Sequence, residues 1–234
     1  MDQYIFGKNS VIEALRSGAK INKVSFQRDM KKGAIRDLLS ELSEKNIPYN
    51  WVDRRSLDEY GENHQGVVAF VALTEYADHH DFEEGLIVLC DGITDPHNLG
   101  AIIRSAFSFG AKGLIIPKRR SANVDATVVK ASAGAAFHLP VARVSNLANA
   151  LEDLKNKGYW VYGADGRAKE TIGNINFDKK TVIVIGSEDK GISDLIKKQC
   201  DVLYRIPMGD FESLNASVAA GISFYEVFKA LEEK

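Results

Sequence analysis

Leu86-Ile-Val-Leu-Cys90 runs directly into Asp91-Gly-Ile-Thr-Asp95-Pro-His-Asn98-Leu-Gly100, and from Leu99 onward Ile102, Ile103 and Ala106 recur on one helical face up to Phe109. A strand, a turn rich in Gly, Asp and Asn, and an amphipathic helix in immediate succession make a βα unit. The pattern repeats downstream. Gly113 to Ile116 reads as a strand and Thr127 to Ala133 as a helix. Leu147, Leu151 and Leu154 mark a helix that ends at Gly158, before the strand Tyr159 to Tyr162. Thr181 to Ile185, a helix from Ile192, the strand Val202 to Ile206 and a long last helix complete the series. Such repetition predicts an α/β fold, a mostly parallel sheet with helices on both faces.

Upstream, Glu75 to Gly85 is polar, acidic and aperiodic, which predicts a linker over 75–85. The expected organisation is a small α/β N-terminal domain over 1–74 and a larger domain over 86–234. In the first domain, Ser10 and Glu13 have capping-box spacing ahead of a short helix that Gly18 can end. Lys23 to Phe26 and Tyr49 to Val52 read as strands around a helix carrying Ile35, Leu38, Leu39 and Leu42. Val67 to Leu73 is nearly continuous in β-branched and apolar residues, as in a strand buried on both faces.

With 45% hydrophobic residues, the 234-residue chain has enough apolar material for a real core. A net charge of −2 announces no nucleic-acid partner, so any RNA contact must come from local patches. No apolar run reaches the roughly 18 residues of a membrane span. Met1-Asp2-Gln3-Tyr4 lacks the basic and apolar regions of a signal peptide. Cys90 and Cys200 are too few for a disulfide framework and read as reduced residues of a cytoplasmic protein. None of the five histidines joins a cysteine or carboxylate at a metal-ligand spacing, so no metal is expected.

Ligands of parallel sheets collect at the carboxyl ends of strands. Three turns there are rich in Gly, Asn, Ser and charged residues: Asp91 to Gly100, Gly186 to Gly191 and Pro207 to Ser217. No GxxxxGK[ST], strand-to-helix GxGxxG or GxSxG occurs, which argues against a P-loop, an ordinary Rossmann cofactor site and a hydrolase elbow. Gly163-Ala-Asp-Gly166 holds only part of a glycine motif and reads as a plain turn.

These three turns carry a resemblance. Asn98-Leu-Gly-Ala-Ile-Ile-Arg104, Val184-Ile-Gly186-Ser-Glu188-Asp-Lys-Gly191, and Ile206-Pro-Met followed by Ser213-Leu-Asn215-Ala-Ser217 resemble, in order, the motifs of the SpoU (TrmH) branch of the SPOUT RNA methyltransferases. Gly7-Lys8-Asn9-Ser-Val-Ile-Glu13 and His64-Gln-Gly66 resemble that branch's substrate-binding domain, which looks like an RNA-binding ribosomal-protein fold. The resemblance implies a deep trefoil knot in the C-terminal domain and a homodimer that shares its active sites. It also implies S-adenosyl-L-methionine as methyl donor and a ribose 2′-hydroxyl of structured RNA as acceptor. Within the branch, the extra N-terminal domain is most similar to that of enzymes acting on a guanosine of 23S rRNA. A tRNA guanosine enzyme is the nearest alternative. A resistance-type rRNA methyltransferase and a catalytically silent RNA-binding or ribosome-assembly protein stand further off.

The family pattern puts the cofactor on backbone around Gly186, Ile206 and Leu214. It puts the reaction on Arg104, Asn98, Glu188, Ser213 and Asn215. Guanidinium is a poor base because it stays protonated; Arg104 is better suited to fixing the phosphate or stabilising the 2′-oxyanion. Asn98 would orient Arg104 or the ribose, or serve only as a helix N-cap. Glu188 would pair with an arginine. His97 reads as a turn residue. Lys118-Arg119-Arg120 is the leading RNA patch of the catalytic domain, with Arg28, Lys31, Lys32 and Arg54-Arg55 as candidates in the N-terminal domain.

Overall fold

The computed structural model describes residues 3–61, 64–71, 76–209 and 213–232. The chain forms two compact units, residues 1–75 with 124–138, and residues 76–123 with 139–234.

The first unit holds strands β1 (Gln3–Phe6), β2 (Ile21–Gln27), β3 (Tyr49–Val52) and β4 (Val67–Val71), in the order β1-β4-β2-β3. β4 is antiparallel to both its neighbours, while β2 and β3 are parallel. Residues 72 and 73 of the expected fourth strand lie outside the described residues. Helices α1 (Lys8–Arg16), α2 (Arg36–Glu44) and α3 (Arg54–Asp58) complete the sequence-local part. The expected capping box is not made. α1 begins two residues before Ser10, and Gln65 Oε1 accepts from Lys8 N at 3.2 Å in its place. Glu13 is drawn away to Arg16 and His138. Gly7 N donates to Val67 O, so the two N-terminal motif fragments meet at the start of α1.

The second unit is a seven-stranded sheet built from β5 (Gly85–Asp91), β6 (Gly113–Pro117), β7 (Val141–Val144), β8 (Trp160–Ala164), β9 (Glu170–Thr171), β10 (Lys180–Gly186) and β11 (Val202–Arg205). Its order is β7-β6-β5-β10-β8-β11-β9, with every neighbouring pair parallel. The chain's helices continue with α4 (Pro96–Ser108), α5 (Ala126–Ala131, grouped with the first unit), α6 (Leu147–Asn156), α7 (Asp194–Lys197) and α8 (Ala216–Glu232).

Five consecutive residues of β5 and of β10 are buried, as expected for strands covered on both faces. Ile87, Leu89, Val182 and Val184 pack with Leu147, Leu151 and Leu154 of α6 and Ile196 of α7. The alternate positions Val88 and Ile183 are equally buried, and α8 packs on β10 and on α4.

The acidic stretch before β5 is structured. Ala77 bridges to Ala142, His79–Asp81 form a 3₁₀ turn, and Phe82 is buried in the core. Its polar surface residues hid the anchoring of Ala77 and Phe82.

Candidate active site

Asp95, not Asn98, caps α4. Its carboxylate accepts from His97 N at 3.1 Å and from Asn98 N at 3.3 Å, and Pro96 takes the first helical position, where its missing N–H costs nothing. The helix therefore starts three residues earlier than the apolar spacing predicted. Asn98 lies inside the first turn with its side chain available for other work. At the far end of the chain, Asn215 Oδ1 accepts from Ser217 N at 2.9 Å and from Ser217 Oγ at 2.6 Å, capping α8. That fixes the amide's orientation: Asn215 Nδ2 must point the other way. It donates to Asn98 Oδ1 at 3.0 Å and more weakly to Glu188 Oε2 at 3.4 Å. One residue from each of the three motifs is thus joined in one hydrogen-bonded group at the carboxyl ends of β5, β10 and β11.

Beside this group lies a cleft with about 720 Å³ of empty space, its open mouth included. Gly186, Glu188, Ile206, Ser213 and Leu214 line it, as do Ile185, Met208, Ala216 and Ala219. The apolar walls suit an aromatic ring. Among the described residues the charged lining is acidic, Asp165 and Glu188, with no Lys or Arg. Such a lining offers a phosphate no cationic partner, and Glu188 is its carboxylate without an ion pair among the described residues. Partial burial raises the Asp165 carboxyl, but the 2.8 Å contact from Lys197 Nζ and the Arg167 N–H outweigh it and hold the group below the ordinary carboxylate range. Glu188 makes no ion pair among the described residues.

Gly186 is required where it stands. A Cβ there would fall 2.0 Å from Gly191 C and 2.2 Å from Ile192 N, because the 187–191 turn folds back onto the end of β10. Asp91 Oδ2 ties this turn to β5 by accepting from Ser193 N at 2.8 Å. Buried Tyr204 donates to Ser223 Oγ at 2.7 Å, locking β11 to α8 behind the cleft.

Ala164, Asp165 and Gly166, read from sequence as a plain turn, line the cleft. Their signal was their place after β8, a position the sheet order alone reveals. Arg104 is exposed on α4, lines neither the cleft nor the amide group, and makes no ion pair among the described residues. The expected contact between Asn98 and Arg104 is absent there, because Asn98 Oδ1 is engaged by Asn215 and the two residues lie about 120° apart around α4. The expected pairing of Glu188 with an arginine is likewise not made among the described residues. His97 is exposed in the cap turn.

Lys118, Arg119 and Arg120 are all exposed in the turn after β6. That turn is pinned by Arg143 Nη2 donating to Lys118 O and by Ala122 N donating to Ile93 O, which sets it beside the Asp91–Gly100 turn. Arg120 has φ 59°, a left-handed backbone that non-glycine residues adopt where the surroundings enforce it. In the first unit Arg28 and Lys31 are exposed. Arg28 pairs with Asp53 at 3.5 Å and Arg54 with Asp58 at 3.8 Å, while the Lys32 side chain lies outside the described residues.

A parallel sheet with a cleft at its strand ends, lined among the described residues by apolar and acidic side chains, is the architecture of an α/β protein that binds a small organic ligand there. The chain belongs to the SpoU rRNA methylase family, whose profile matches residues 85–225; residues 4–77 match the RNA 2′-O ribose methyltransferase substrate-binding profile. It is 44% identical to a putative TrmH family tRNA/rRNA methyltransferase, YacO, of Bacillus subtilis, over 97% of this chain and 95% of that protein. Among solved structures it is similar to the SpoU methyltransferase AviRb of Streptomyces viridochromogenes in complex with AdoMet. That match has a TM-score of 0.85 and 28% identity over 100% of this chain and 92% of the other. An AdoMet-bound rRNA methyltransferase of Sinorhizobium meliloti has a TM-score of 0.83 and 25% identity over 98% and 88%.

Proposed function

We propose that this chain is a cytoplasmic enzyme that transfers the methyl group of S-adenosyl-L-methionine to the ribose 2′-hydroxyl of a guanosine in 23S rRNA. The observation that carries the chemistry is the cleft beside the Asn98–Asn215–Glu188 group, whose lining combines apolar side chains with the carboxylates of Asp165 and Glu188. When bound, the cofactor supplies an activated methyl on a sulfonium. The protein's part is to hold that methyl in line with a hydroxyl and to stabilise the charge that grows on the oxygen. Asn98 has its amide N–H groups left for the ribose, and Ser213 lies at the cleft mouth.

Arg104 supplies the positive charge, and it does so from a second copy of the chain. The support for a shared site is twofold. Arg104 stands outside its own cleft, and the α4–α8 side exposes Phe107, Val218, Tyr225 and Phe228, an apolar surface of the kind that pairs subunits. The trefoil knot belongs to the same reading. It is supported by the insertion of β11, last strand in the chain, between β8 and β9, and by the return of α8 onto β10 and α4. Lys118, Arg119 and Arg120 anchor RNA phosphates in the catalytic domain, and Arg28, Lys31 and Lys32 do so in the N-terminal domain.

The 23S preference rests on the substrate-binding domain that precedes the catalytic one. Labelled S-adenosylmethionine with rRNA or tRNA, followed by nucleoside analysis, tests it. A 2′-O-methylguanosine in 23S rRNA, absent with Arg104→Ala, is the expected result. Label only in tRNA overturns the substrate, and failure to bind the cofactor overturns the enzyme.

A further inference from the structure

His79 and His80 do not diverge, as neighbours in a chain commonly do. Their rings lie 4.0 Å apart between two carboxylates. On one side, Asp78 Oδ1 is 2.7 Å from His80 Nδ1 and 3.5 Å from His79 Nδ1. On the other, Asp153 Oδ2 of α6 is 2.9 Å from His79 Nε2 and 3.5 Å from His80 Nε2. The turn that carries the histidines is held to α6 a second time, by Lys157 Nζ donating to the carbonyls of His80 and Phe82.

We propose that Asp78, His79 and His80 form a binding site for one divalent transition-metal ion of the Zn²⁺ class, with Asp153 as the outer carboxylate that orients both imidazoles. The ligand atoms of the three residues all lie within 4.8 Å of one another. Tetrahedral bonds of about 2.0–2.2 Å set ligand atoms about 3.3 Å apart, so the 2.7 and 3.5 Å separations around Asp78 Oδ1 need only small adjustments, and the separation between the two imidazole nitrogens, within 4.8 Å, closes by rotation of the exposed His80 ring. Because the Asp153 carboxylate can only accept, His79 carries its proton on Nε2 and presents the Nδ1 lone pair on the Asp78 side. Neutral His80 reaches the same state by moving its proton from Nδ1 to Nε2, towards the same Asp153 oxygen. A carboxylate behind a ligating imidazole is the usual support of such sites. The remaining positions on the ion are open to water, since His80 and Asp78 are exposed while His79 is 13% exposed. The site stands apart from the methyl-transfer cleft and does not depend on the reaction assigned there.

The full-length protein, stripped with chelator and desalted, is titrated with Zn²⁺ by calorimetry, and with Co²⁺ by visible absorption. The expected result is one ion per chain, imidazole-type Co²⁺ bands, and loss of both in His79→Gln and His80→Gln. Asp153→Asn weakens binding by about 10–100-fold, the usual effect of removing an outer-shell partner. Exposed Asp78→Asn serves where a histidine variant fails to fold, and His97→Gln is the control. No binding at molar excess, or binding unchanged in His79→Gln, His80→Gln and Asp78→Asn, overturns the proposal.

Discussion

Asn215 Nδ2 donates to Asn98 Oδ1 at 3.0 Å, joining side chains 117 positions apart. The geometry is directional. Because Asn215 Oδ1 is committed to Ser217, its nitrogen must face Asn98 and Glu188, and the side-chain N–H groups of Asn98 meet no acceptor among the described residues. A helix cap and the joint between the three motifs are therefore one device, and substitutions can separate them.

Asn215→Ala removes both roles. Loss of the cap costs about 1 kcal/mol, read as a lower thermal midpoint, and methyl transfer falls with it. Asn215→Asp keeps an acceptor for Ser217 but has no donor for Asn98 and adds a charge near Glu188. It is expected to keep the cap and so to lose less of the midpoint than Asn215→Ala, while losing activity as fully. Equal stability loss in both variants would contradict this division of labour.

Arg104→Ala should leave stability within about 0.5 kcal/mol, because the side chain is exposed and unpaired among the described residues. Turnover should fall by about 10²–10³-fold if the guanidinium stabilises a developing oxyanion. Mixing Arg104→Ala with Asn215→Asp chains should restore part of the activity through heterodimers in which one site is complete. No recovery after verified subunit exchange would place Arg104 in its own chain's site.

Gly186→Ala puts a methyl group into backbone atoms 2.0–2.4 Å away, which no rotamer change can relieve. The turn 187–191 must shift, and it forms one wall of the cleft. Cofactor affinity, followed by calorimetry, should fall further than for Gly209→Ala, where a Cβ meets nothing within 4 Å.

Asp165 predicts an acid limit. Its folded-state carboxyl titrates below the ordinary carboxylate value, so its contribution is present above about pH 4 and is lost as pH falls through the depressed value. Wild type should lose midpoint temperature more steeply than Asp165→Asn over that acid range, and the two curves should converge at its lower end. Parallel curves would show that the Lys197 pair does not matter to stability.

The parallel-sheet class was legible because β5, β10 and the other central strands are short apolar runs separated by helical periodicity, and both patterns are local. Helix starts were less so. Asp95 and Pro96 mark the true beginning of α4, but apolar spacing begins only at Leu99, and Asn98 is itself a good capping residue. Ser10 and Glu13 had the right spacing for a box that Gln65, arriving from another part of the fold, made unnecessary. Gly163 to Gly166 carried no chemistry until β8 was seen between β10 and β11. Asp153 gave no sign of a partnership with histidines 74 and 73 positions earlier.

What the sequence by itself determined was the order of elements and the identity of three polar turns, because secondary-structure periodicity and motif residues are properties of neighbours along the chain. Only the tertiary structure decided which turns meet, that the described lining of the cleft they border carries Asp165 and Glu188 and no Lys or Arg, and that Arg104 stands outside it. Those are matters of strand order and helix facing, fixed by burying both faces of the sheet, and apolar contact carries no address that can be read from one segment alone.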